Sequence, residues 1–422
     1  MDLATKVLGA VTDFYLGSRD FNGIPIRKLI DAVEAEAEDI REALVELVEN
    51  DLARLIFIDA DMNPHIIRTG FEPTENQLVK LKASESPSFC CYPSVAHLAS
   101  VVDTDSYSGK PYDLELALGE PQLAFRSFDL AVLESYRNDP RFYYDNDDTR
   151  GSIYYNSDDL ADGDKALIQS FGFPYDGEMR RAVAVYLRYL SDLTPEHQGI
   201  WRTKELSGDY RLHPDYFVNT IIGDWADHAP ICTAFLKELY IINQMCEVME
   251  RPPLFREDFG RYGDDKPQRF GLLIRPTLEE FNAFILTFDK MLSDNISKAF
   301  FKGEVSSETE VERKDGKIQV QGKGTLQMLD DWLRSQFRTD DWGPWDASIK
   351  ALRKVRKLRQ KPAHALDENV FDQQYFKKQR DLLVEAYTAV RTIRLMLANH
   401  PGVRTADIEI PSWLQEGKIR LY

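Results

Sequence analysis

The sequence predicts a mixed α+β chain, mainly helical: a small helix-and-strand module first, an α/β region in the middle, and a four-helix bundle carrying a β-hairpin insertion at the end. Three observations lead there. The first 75 residues read as three amphipathic helices followed by two apolar strands. Between residues 89 and 275, short extended runs alternate with helical ones. Beyond residue 276, apolar residues recur every three or four positions over four long stretches. With 422 residues, 43% of them hydrophobic, the chain can fill about two or three ordinary cores.

In the opening module, residues 3–16 and 24–33 read as helices. Residues 36–50 read as a third, with Ile40, Leu44, Leu47 and Val48 on one face. Strands are expected at 55–58 and 65–67, joined by the turn-forming residues 59–64. This order, over residues 1–75, resembles a winged helix–turn–helix. A recognition helix that reads duplex DNA needs basic and amide side chains in the major groove. Here the third helix carries Glu36, Glu38, Asp39, Glu42, Glu46 and Glu49 against Arg41, so phosphate repulsion disfavours DNA and a protein partner is expected instead. Pro73 and the polar residues 84–88 mark a linker over 76–88.

The middle domain, 89–275, is of no recognised type. Residues 123–128 and 152–155 look extended, and 180–193 and 231–249 helical. The acidic run Asp145-Asn146-Asp147-Asp148 lacks the glycine that an EF-hand loop requires, since Arg150 stands in its place. His197, His213 and His228 follow no metal-ligand spacing. No phosphate-binding glycine loop and no G-x-S-x-G occurs, and Glu416-Gly417-Lys418 lacks the strand frame of a metal-dependent nuclease. Neither a metal nor a cofactor is expected.

Thr277-Leu278-Glu279-Glu280 has the pattern of a capping box. It opens a bundle over 276–400 with helices at 277–300, 325–338, 345–361 and 374–398. Asp315-Gly316 marks a hairpin turn within 311–320, and a tail occupies 401–422.

Charge singles out the third of these helices. The chain is acidic, with 52 Lys+Arg against 70 Asp+Glu and a net charge of −18. Yet seven of the twelve residues from Lys350 to Lys361 are basic and none is acidic. A basic island on an acidic body attracts polyanions, or is simply a solvated helix face. On a helical wheel Lys350, Arg353, Lys354, Lys357 and Lys361 lie on the solvent side. Arg356 and Arg359 fall instead within the apolar face of Ile349, Leu352, Val355 and Leu358. A guanidinium there must be paired, emerge at a crevice or serve a purpose. Arg359 in the last turn and His364 just beyond Pro362 can converge. Arginine then offers a fork for phosphate and histidine a proton donor or acceptor near neutral pH. A buried Arg–carboxylate pair beside a capping histidine has the same spacing.

Arg359 and His364, four residues between them and flanked by amphipathic helices, resemble the R-x4-6-H motif of the HEPN superfamily. Gln360 stands where that family more often has Asn, Asp or His. The resemblance covers the last third of the chain. It implies a helical bundle and, in active members, a metal-independent endoribonuclease of toxin, RNA-maturation or phage-defence systems that works as a homodimer. Arg359 would hold the scissile phosphate, and His364 would act as acid or base at the ribose 2′-oxygen. Lys354, Arg356, Lys357 and Lys361 would bind RNA. The resemblance equally allows a non-catalytic assembly platform with Arg359 in a structural ion pair. A transcriptional regulator is a third reading.

No apolar run approaches the length of a membrane span, and the first fourteen residues lack a signal-peptide pattern. Cys90, Cys91, Cys232 and Cys246 follow no zinc spacing, and the last two sit in an apolar helical pattern that suits reduced core thiols. A cytoplasmic location is expected.

Overall fold

A computed structural model describes residues 2–68, 70–83, 88–147, 149–178, 180–223, 228–260, 266–267, 269–312, 318–360 and 368–420. It groups them into two compact units, residues 1–144 with 150–224, and residues 145–149 with 225–422. Both units mix helix and strand, and no helix among the described residues is long and apolar enough to cross a membrane.

In the first unit, helices Leu3–Gly17, Ile26–Val33 and Ala37–Glu49 bury Val7, Val11, Leu29, Ile40, Leu44, Leu47 and Val48 against a three-stranded antiparallel sheet. Strand Phe89–Pro93 lies at the centre of that sheet, hydrogen-bonded to Ile24–Pro25 on one side and Ala53–Phe57 on the other. Two expectations change here. Residues 65–67 form no strand: the Ile67 amide donates to Gln122 Oε1 at 2.7 Å, so a buried side chain supplies the acceptor a strand neighbour would have offered. Residues 76–88 begin inside helix Thr74–Ala83 rather than as a linker. Its fully buried Gln77 accepts from the Leu55 amide at 2.8 Å and so ties that helix to the sheet.

A six-stranded sheet follows, ordered Phe142–Asn146, Arg150–Tyr155, Leu167–Gly172, Val183–Tyr186, Phe125–Phe128, Glu205–Leu206. The helix expected over 180–193 is instead strand Val183–Tyr186 followed by the short helix Leu187–Ser191. All four strand residues are buried, so a fully apolar run of mainly β-branched and aromatic type lacks the alternation that marks a half-exposed strand.

In the second unit, helices Thr325–Gln336, Gly343–Gln360 and Gln374–Leu397 form where the apolar spacing placed them, while the first helix, Leu278–Met291, ends well before the expected residue 300. They share one core with Ile231–Val248, whose Phe235, Leu239 and Ile242 pack among Phe288, Leu352 and Val390 as part of the same cluster. The hairpin pairs Glu308–Glu312 with Ile318–Gly322, and its Asp315-Gly316 turn lies outside the described residues. Cys232 and Cys246 are buried, unbridged members of the bundle core. At Thr277 the hydroxyl accepts from the Glu280 amide at 3.2 Å as a cap should. Glu280, however, reaches past Thr277 and accepts from the Ile274 and Arg275 amides, at 2.6 and 2.7 Å.

Candidate functional site

Helix Leu278–Met291 stops short of residue 300, and that stop builds the site. Leu292 leaves helical geometry with φ −106° and ψ −99°. Asn295 fixes the turn: its amide donates to the Glu257 carbonyl at 2.7 Å and its oxygen accepts from the Glu257 amide at 2.9 Å. Asp289, Ser293 and Asp294 are thereby held on one side of the helix end, facing the last turns of Gly343–Gln360.

Arg356 and Arg359, three residues apart on that helix, point to the same side. Arg356 Nη1 donates to Asp289 Oδ2 at 2.9 Å, to Ser293 Oγ at 3.3 Å and to Asp294 Oδ1. Arg359 Nη1 donates to Asp289 Oδ2 at 2.8 Å and to Asp294 Oδ2. Ser293 in turn donates to Asp289. The two arginines on the apolar face are therefore paired, one of the outcomes the helical wheel required.

The cluster is graded in burial. Asp289 is fully buried, while the Arg356 and Arg359 side chains are 40% and 30% exposed. Asp289 also sits in the last turn of its own helix, where the backbone dipole disfavours an anion, so two cations are well placed to offset both penalties. Burial pushes the Asp294 carboxyl up, but the Arg356 hydrogen bond and the charges of Arg356 and Arg359 together hold it below the usual range. Burial works against the Arg356 charge, and its carboxylate partners outweigh that. For Arg359 the hydrogen bond to Asp289 leads, and both guanidinium pKa values rise. Each arginine uses only Nη1 on these aspartates. The Nε–Nη2 edges find no acceptor among the described residues.

The rest of the basic face is less exposed in charge than in sequence. Lys354 pairs with Glu385 at 2.8 Å, and Arg353 with Asp330 at 3.1 Å. Lys357 is exposed and makes no ion pair among the described residues. Lys361 and His364 lie outside the described residues. The structure thus brings Arg356 and Arg359 together on two carboxylates. Sequence reasoning missed Asp289 and Asp294, yet a signal was present: Asp289 follows Phe288 and sits four residues after Ile285, an acid within an apolar stripe.

No protein-family model, curated protein or solved structure matches the chain.

Proposed function

We propose that the second unit is a HEPN-type, metal-independent endoribonuclease module of the toxin or phage-defence kind, assembled as a homodimer. One observation carries the reading: Arg359 is clamped through Nη1 at the end of its helix, which leaves its Nε–Nη2 edge without an acceptor among the described residues on a side chain 30% exposed, immediately before the segment that contains His364. That edge is the bidentate face that suits a phosphate. In this reading Arg359 holds the phosphate and Arg356 assists. His364 takes or gives the proton at the ribose oxygens, yielding 2′,3′-cyclic phosphate ends, and Lys357 and Lys361 steer the strand. Lys354 contributes less, because Glu385 cancels its charge. In the first unit, three helices packed on a three-stranded antiparallel sheet support the winged-helix reading, although helix Thr74–Ala83 stands between the last two strands where a wing would have a hairpin turn. Glu36, Glu38, Asp39, Glu42, Glu46 and Glu49 are all exposed, which favours a protein partner over duplex DNA.

A second reading, a non-catalytic assembly module, is favoured by the charge balance: two arginines meet two aspartates, and a polyanion would have to compete with them. RNA cleavage by the full chain in EDTA separates the two. The ribonuclease reading expects cleavage that disappears in His364→Ala and in Arg359→Ala and is only poorly retained in Arg359→Lys, because lysine lacks the planar fork. Wild-type protein that cuts no RNA, or cuts it equally well as His364→Ala, leaves the assembly reading.

A further inference from the structure

The first unit contains a cavity of about 480 Å³ whose wall includes Arg68, Phe125, Tyr186, Tyr210, Arg211 and Phe217. Its charge is unusual for this chain. Among the described residues two arginines and no carboxylate line it, although the sequence holds 70 acidic residues and a net charge of −18. A cationic concavity in an acidic body concentrates small anions. Asp61 stands 3.4 Å from Arg68 Nε, and Asp209 stands 3.8 Å from Arg211 with both side chains largely in water, so the Arg211 charge is only weakly compensated.

The rings of the wall are held from behind. Thr220 Oγ1 donates to the Tyr216 carbonyl at 2.6 Å, so its lone pair accepts the Tyr186 hydroxyl at 2.8 Å. The Tyr186 ring stacks on Tyr216 with centroids 5.8 Å apart and an 11° tilt. Phe217 is 38% exposed. Behind it the chain turns through a π-helical segment, Val218–Ile222, which ends at Gly223 with φ 79°. Single π-turns are uncommon and gather at functional sites. Arg68 Nη1 donates to the Ile221 carbonyl at 2.9 Å, so the guanidinium is fixed against that turn.

We propose that this cavity binds a mononucleotide-sized planar anion, its ring system lying among Phe125, Tyr186, Tyr210 and Phe217 and its acidic group on Arg68 and Arg211. The volume lies within the range of about 300–1,000 Å³ usual for small-molecule sites. Aromatic faces accept any base, and a guanidinium fork suits a phosphate. The site is independent of the bundle and of its ribonuclease reading.

Calorimetric titration of the full chain with AMP, GMP, CMP and UMP tests the proposal. At least one should bind with Kd below about 100 μM. Arg211→Ala should weaken that binding at least roughly tenfold, and Phe217→Ala should weaken it too. Both residues are exposed enough to leave the fold intact, which an unchanged melting temperature verifies. The matching nucleoside, without phosphate, should bind more weakly and be indifferent to Arg211→Ala. Absence of heat from all four nucleotides at about 5 mM, or binding undiminished in both variants, overturns it.

Discussion

Two of the arginine–carboxylate sites in the bundle differ in depth. Arg394 Nε meets Glu238 in the middle of the bundle, with side chains 4% and 0% exposed. Arg356 and Arg359 meet Asp289 and Asp294 at a helix end, with arginine side chains 40% and 30% exposed. The deep pair has nothing to offer a ligand; Glu238 Oε1 is even buried without a hydrogen-bond partner among the described residues. The shallow cluster keeps part of each arginine side chain at the surface. Their titration differs as well. Burial raises the Glu238 carboxyl despite Arg394, whereas the arginines bring Asp294 down despite burial. Similar residues on packing faces thus make an internal tie in one place and a partly exposed cluster in the other, and depth decides which.

The largest effect should come from breaking the deep pair. Arg394→Ala leaves the buried Glu238 carboxyl without its partner and should cost about 3–5 kcal/mol in urea unfolding, while Arg394→Met paired with Glu238→Leu should recover much of it. A loss below about 1 kcal/mol would erase the contrast in depth.

Arg359→Ala should cost less, about 1–2 kcal/mol, because Arg356 still holds Asp289 and the exposed site can hydrate. A loss as large as that of Arg394→Ala would make both sites structural and favour the assembly reading over the ribonuclease one.

The smallest effect should appear in acid. A carboxyl whose folded pKa is lowered stabilises above its unfolded pKa, and that contribution is lost as pH falls through the folded one. Asp294 therefore contributes fully above about pH 5 and progressively less below pH 4. Asp294→Asn should flatten the fall in stability across that window by less than about 1 kcal/mol, measured by denaturant unfolding at several pH values. An unchanged slope would mean that Arg356 and Arg359 do not depend on Asp294.

How far the sequence could be read follows the range of each interaction. Helices with a clean apolar stripe, such as Gln374–Leu397, were legible from spacing, and so was the anomaly of Arg356 and Arg359 on a packing face. Their partners were not named, because Asp289 and Asp294 lie more than sixty residues upstream and no local pattern links them. The same distance hid the membership of Ile231–Val248 in the bundle. Residues 55–67 resembled a hairpin because their turn chemistry is sound. The true neighbour of Ala53–Phe57 is Phe89–Pro93, and a helix intervenes.

That central strand has a consequence for how the module is made. Ile24–Pro25 and Ala53–Phe57 are bonded to Phe89–Pro93 and not to each other. On the ribosome the first two strands emerge with no sheet to join, and the helices above them wait with one apolar face uncovered. The sheet can close only once the chain has grown about thirty residues past Phe57, a delay of seconds at ordinary rates of translation. A gene fragment cut at residue 75 would encode the helices and both outer strands but no middle, and its product should be a target for proteases.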